Sequence, residues 1–130
     1  MESNNSIRLI TLEVGPYSNN CYVLVDPFTN ISAIIDAAAD PDTIIEAIGN
    51  TSLSLIITTH RHQDHWGALE DVKNQFPEAL VAVHQKDAAE LPVKADVFLE
   101  HGDTLQGGNV PLRILHTPGH TEGSVCLVSG

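Results

Sequence analysis

Residues 60–65 read His60-Arg61-His62-Gln63-Asp64-His65, three imidazoles and a carboxylate within six positions. Imidazole nitrogen and carboxylate oxygen are the donors that borderline divalent metals such as zinc prefer. His60 and His62 are two apart, so in an extended backbone their side chains leave on the same side, whereas a helix would splay them. That ordered spacing, with Asp64 inside it, separates the run from a merely His-rich tract. A second group, His116-Thr117-Pro118-Gly119-His120-Thr121, contains a Pro-Gly turn able to carry His120 back toward the first. His60, His62 and His120 together would make a tris-imidazole site, in which a tetrahedral metal keeps one position open for water. Asp64 and His65 would then begin a second metal site beside it. Two metals about 3.5–4 Å apart can share a hydroxide and polarise a substrate carbonyl.

Such ligands need rigid supports. Leu53-Ser54-Leu55-Ile56-Ile57-Thr58-Thr59 is short, apolar and β-branched, as expected of a strand buried on both faces, and it delivers His60 at its carboxyl end. Leu112 to Leu115 does the same for His116 and the turn beyond it. In open α/β architectures sites lie at the carboxyl ends of strands. Ahead of the first cluster, alternation predicts a strand over Arg8 to Val14, a loop over Gly15 to Asn20 and a strand over Cys21 to Val25. A turn at Asp26 to Asn30 leads into a third strand, Ser32 to Ile35, ending at Asp36. Asp40-Pro41 is a helix-start signature, an Asp able to cap followed by Pro at the first helical position. That helix would carry Ile44, Ile45 and Ile48 on its core face and stop at Gly49-Asn50. Gly67 to Gln75 is expected to form a second helix, with Leu69, Val72 and Phe76 at helical spacing. A short strand over Leu80 to Val83 and a helical stretch around Gln85 to Leu91 follow.

From Val97 onward the pattern returns to β, with turns at Gly102-Asp103 and Gly107-Gly108-Asn109 and a final strand over Ser124 to Val128. Strands alternating with single helices predict one α/β or mixed layered domain over residues 1–130. The last residue, Gly130, directly follows an apolar strand that would lie open on an edge, a pairing liability. The expectation is therefore a C-terminal truncation, or half of a larger unit.

Six Lys plus Arg against seventeen Asp plus Glu give a formal net charge of −11. That balance argues against a nucleic-acid partner, which calls for a basic patch, and against an anionic membrane surface. No run approaches a membrane span, and the first six residues lack the basic and apolar regions of a secretory signal. The expected location is the cytoplasm. Cys21 and Cys126 both sit in apolar, strand-like segments and are expected as buried free thiols under reducing conditions.

With these residues in view, the chain resembles the metallo-β-lactamase fold superfamily, and within it the glyoxalase II-like (hydroxyacylglutathione hydrolase) branch. Thr59-His60-Arg61-His62-Gln63-Asp64-His65-Trp66-Gly67 is similar to that family's first metal motif, with its glycine one residue early. Thr117-Pro118-Gly119-His120-Thr121-Glu122-Gly123-Ser124 is similar to its third. Asn20-Cys21-Tyr22 and Ile34-Ile35-Asp36 resemble the early strands that precede the site. The resemblance implies an αββα sandwich, of which this chain would supply the first half: a mixed sheet with flanking helices. It implies His60, His62 and His120 on one metal and Asp64 and His65 on a second, with Asp64 also orienting the attacking hydroxide. Zinc is the implied metal, with iron or manganese as alternatives. The implied reaction is hydrolysis of a small acyl or thioester substrate by a metal-bound hydroxide.

The family's later bridging Asp and final His have no counterpart after His120, and a Pro-Gly turn that often follows the Asp is replaced here by Ala37-Ala38-Ala39. Two rival readings stay open: a single-iron persulfide dioxygenase, and a non-catalytic metal-binding fragment lacking the second half of the site. Among the other residues, His84 and His101 are expected at the surface or supporting a ligand. His116 is open between those roles, Asp36 is either a turn cap or the holder of a ligand imidazole, and Trp66 either packs or walls a cleft.

Overall fold

The computed structural model describes residues 7–16, 19–59, 65–107, 110–118, 121 and 123–129. Among them run nine strands and two helices: β1 (Arg8–Val14), β2 (Asn19–Asp26), β3 (Ile31–Ile35), α1 (Pro41–Ile48), β4 (Ser52–Ile57), α2 (Leu69–Gln75), β5 (Leu80–His84), β6 (Val97–Leu99), β7 (Thr104–Gly107), β8 (Val110–His116) and β9 (Val125–Ser129). The first six strands form one sheet in chain order, and β7, β8 and β9 form a second. The pairs β1–β2 and β2–β3 are antiparallel, and β3–β4, β4–β5 and β5–β6 are parallel. The fold class is therefore the expected mixed α/β one.

Alternation along the strands sorts side chains into two cores. Cys21, Val23 and Val25 of β2 face the helices, where Ile34, Ile44, Ile48, Ile56, Leu69 and Val72 complete a buried cluster. Leu24 of β2 faces the other way and joins Ala33, Leu55, Ile57, Ala82 and Leu99 against Leu112, Ile114 and Val125 of the second sheet. The layers run helices, large sheet, small sheet. A sheet covered on both faces accounts for the near-continuous apolar run in β4.

One irregularity sets the phase of β4. Ser32 pairs with Leu53 but Ala33 pairs with Leu55, so Ser54 is an extra residue in the parallel ladder. The bulge lets Leu53 and Ile56 share the helix side while Leu55 and Ile57 share the other.

Three expectations are corrected. Asp40 does not cap α1 with its side chain: it sits in the left-handed region at φ 53° with no side-chain cap bond. Its backbone carbonyl accepts the N–H groups of Thr43 and Ile44, and its carboxylate turns away to accept the N–H of Gly15 at 2.9 Å. Gly15 is itself at φ 76°, and a Cβ there would meet the Cβ of Ala39 at 2.9 Å, so glycine suits the contact on both counts. The helical stretch around Gln85 to Leu91 contracts to one 3-10 turn, Ala88–Glu90. Pro92 drives Leu91 into extended conformation, which ends the turn. Cys126 is exposed rather than buried, because Val125 and Leu127 on either side take the inward face of the edge strand β9. No helix among the described residues is long and apolar enough to cross a membrane.

Cys21, by contrast, is fully buried, and burial, reinforced by the Asp36 carboxylate, pushes its thiol up to about 12. Only thiolate reacts quickly with a disulfide reagent. At pH 8 the folded protein should therefore show one fast thiol, Cys126, and a second only on unfolding; two fast thiols would contradict this packing. Ile56 is completely buried beneath the helices. Ile56→Ala should cost about 2–5 kcal/mol in denaturant unfolding.

Candidate metal centre

Where β3 ends, Asp36 turns the chain. Its backbone is left-handed at φ 61°, and its N–H donates to the carbonyl of Ile57 at 2.7 Å, tying the ends of β3 and β4 together. The nearly buried carboxylate then collects three contacts. Oδ1 accepts the N–H of Thr59 at 2.7 Å, Oδ2 accepts the Thr59 hydroxyl at 2.8 Å, and Oδ2 lies 3.0 Å from Nδ1 of His65. Non-glycine residues occupy this backbone region at a cost of about 1–2 kcal/mol, which the surrounding bonds offset. Asp36 is thus both the turn residue and the holder of an imidazole.

The contact decides the tautomer of His65. A carboxylate accepts only, so Nδ1 carries the proton, and in the neutral ring Nε2 is the nitrogen that bears the lone pair, the form a metal ligand needs. His65 is one-quarter exposed, with its ring anchored through Nδ1. Of the expected ligands, His65 is the one placed here; His60, His62, Asp64 and His120 lie outside the described residues. On donor chemistry, four imidazoles and a carboxylate, one ring already held through its far nitrogen by an Asp, fit zinc.

The two motif regions are joined through backbone. The carbonyl of Thr59, one residue before His60, accepts the N–H of Val125 at 3.0 Å. The loop that carries the second motif is closed by Thr117 N–H on the Ser124 carbonyl at 2.8 Å. Inside it, buried Asp87 accepts the hydroxyl of Thr121 at 2.6 Å and the N–H of Gly123 at 2.9 Å. Asp87 escapes sequence reasoning because it stands in a plain polar turn, Gln85-Lys86-Asp87, with no motif around it.

The remaining histidines gather on one side. The rings of His84 and His116 stack with centroids 4.1 Å apart at 20°. Nδ1 of His84 accepts the N–H of Lys86 and Nδ1 of His101 accepts the N–H of His116, both at 3.1 Å. Desolvation and the neighbouring His116 ring hold His84 below the ordinary imidazole range. The stack therefore favours the neutral form of His84. With their Nδ1 lone pairs committed to backbone, His84 and His101 stand as supports of the strand ends.

Trp66 packs against the helix-side core. Thr58, immediately before Thr59, carries the one buried hydroxyl among the described residues with no hydrogen-bond partner. Beside Asp36 and Thr59 a cavity of about 420 Å³ opens between the sheets, walled by Tyr22, Leu24, Ile35, Leu112 and Leu127.

Comparison with known proteins gives this geometry a context. Hydroxyacylglutathione hydrolase of Bradyrhizobium sp. (strain BTAi1) is 38% identical over 109 residues, covering 82% of this chain and 42% of the relative. The chain therefore spans less than half the length of that relative. Among solved structures, ETHE1 from Myxococcus xanthus superposes with a TM-score of 0.84 at 25% identity, over 95% of this chain and 54% of that one. The class B3 di-zinc metallo-beta-lactamase LRA-12 from an Alaskan soil metagenome superposes with a TM-score of 0.79 at 26% identity, over 96% of this chain and 55% of that one. Residues 14–130 match the metallo-beta-lactamase superfamily as a family, and the chain belongs to it.

Proposed function

We propose that this chain is the zinc-binding N-terminal portion of a metal-dependent hydrolase acting on small thioesters of the hydroxyacylglutathione type. The observation that carries the reading is the Asp36–His65 pair, an imidazole held by a carboxylate through Nδ1 at the carboxyl ends of two parallel strands. Support also comes from relatives that bear the name hydroxyacylglutathione hydrolase and from a di-zinc structural neighbour.

His60, His62 and His120 would hold one metal, and Asp64 and His65 a second. Zinc, when bound, supplies Lewis acidity toward a carbonyl oxygen and lowers the pKa of water toward about 7. The chain's own residues supply position. Asp36 keeps the proton of His65 on Nδ1 and orients the ring, and its bonds to Thr59 hold the backbone from which His60 departs. Val125 N–H on the Thr59 carbonyl keeps the second motif's strand against the first. Asp64 would orient the attacking water. The net acidity of the chain disfavours a polyanionic substrate such as nucleic acid.

Elemental analysis should find zinc bound to the protein, and His60→Ala or His120→Ala should abolish its uptake at the first site. Unchanged metal content in both variants would sink the assignment. Hydrolysis of S-lactoylglutathione tests the substrate class. A single iron with oxygen consumption on glutathione persulfide would replace hydrolysis by oxidation, and metal binding without turnover would leave this chain a binding unit.

Asp36→Asn keeps an acceptor for the Thr59 N–H but replaces Oδ2 by an NH2 group, which accepts neither the Thr59 hydroxyl nor the His65 Nδ1–H. Zinc affinity, measured by chelator competition, should fall about 10–100-fold. An affinity equal to the wild type would show that the carboxylate does not orient the ring.

A further inference from the structure

The turn after β5 meets the loop after β8 at a completely buried carboxylate. Asp87 is placed by its own N–H, which donates to the carbonyl of His84 at 3.0 Å. Its Oδ2 accepts the Thr121 hydroxyl at 2.6 Å, and its Oδ1 accepts the Gly123 N–H at 2.9 Å. With the Thr121 proton committed to Asp87, the Ser124 hydroxyl 2.8 Å away donates to Thr121 Oγ1 while accepting the Thr121 N–H at 3.1 Å. The partners leave no slack: a Cβ on Gly123 would lie 2.6 Å from Cγ and Oδ1 of Asp87.

Stability alone does not explain a carboxylate here. Burying a charge is costly unless hydrogen bonds compensate it, and replacing a whole buried polar cluster by apolar groups of similar volume is often neutral or stabilising. What the carboxylate provides is direction. Charge-assisted bonds are short and strong, and these two fix Thr121 and Gly123 on β5's terminal turn. Thr121 directly follows His120 in the chain. Metal sites need their ligands held to within about 0.5 Å, so what immobilises residue 121 limits where residue 120 can stand.

We propose that Asp87 is the positioning residue for His120: it acts through Thr121 and Gly123 to hold that imidazole at the metal site without touching the metal itself. The proposal rests on the reading of His120 as a ligand. It makes the turn after β5, which carries no metal motif, part of the machinery of the site. The neighbouring stack of His84 on His116 braces the same two strand ends from outside the loop.

The test compares Asp87→Ala, Asp87→Asn and Thr121→Val with the wild type and with Val72→Ala, a core variant that lowers stability away from the loop. Zinc affinity is measured by chelator competition well below each unfolding midpoint, and the cobalt-substituted proteins supply a visible spectrum that reports ligand geometry. Asp87→Ala should weaken zinc binding about 10–100-fold and alter the cobalt spectrum. Asp87→Asn, which still accepts from Gly123 and can donate to Thr121 Oγ1, should recover most of both. Thr121→Val should shift both in the direction of Asp87→Ala by less, and Val72→Ala should move neither. A folded Asp87→Ala with wild-type affinity and spectrum would overturn the proposal. Should that variant not fold, a folded Thr121→Val with wild-type values would overturn it equally. If His120→Ala keeps wild-type zinc affinity, the ligand assignment itself fails, which is a different result from an inert Asp87.

Discussion

The architecture of this chain converges on one carboxylate. Asp36 bonds to Thr59 through both backbone and side chain and to His65 through its ring, so a single residue at the end of β3 determines how the chain leaves β4. The arrangement works because β3 and β4 are parallel neighbours whose ends lie side by side. In an antiparallel pair the carboxyl end of one strand would face the amino end of the other, and Asp36 would be a strand's length from Thr59. Parallel pairing in turn demands a crossover, which α1 supplies between the two strands. The helix, the strand pair and the carboxylate are thus one construction.

A second level of organisation joins the two sheets. The large sheet is covered by helices on one face and by the small sheet on the other, so Ile34 and Ile57, near neighbours in space, belong to different cores. The sheets are further tied by the Val125 bond to Thr59 and by the Asp87 network. Each of these ties lies at the carboxyl ends of β4, β5 or β8. Apolar burial holds the layers together through the middle, and directed polar bonds register them at the functional end.

Much of this was legible from residue types. The β-branched run through Ile56 and Ile57 marked a doubly buried strand, and the isoleucines of α1 marked its core face; Ile44 and Ile48 are buried while Ile45 is only partly so. Asp36 was recognisable as either turn residue or ring holder, and it is both because the left-handed turn aims its carboxylate at the next strand's exit. Other features depend on partners distant in sequence. Asp40 has the composition of a helix cap, but Gly15 from another hairpin takes its carboxylate. Cys126 sits in an apolar run, yet its exposure depends on which neighbours face inward. Asp87 gains meaning only from Thr121 and Gly123, more than thirty residues away.

The extra residue at Ser54 has a consequence for how such a strand tolerates length changes. In a regular ladder, parity links every position: inserting or deleting one residue exchanges inside for outside all the way to the end. The bulge confines that exchange to a single point, so the half of β4 before Ser54 and the half after it obey separate parities. Pairing with β3 at the amino end and aim toward Asp36 at the carboxyl end are therefore decoupled. The strand can satisfy the helix-side core with Leu53 and still present Thr59 to its partner, two demands that uninterrupted alternation would set against each other.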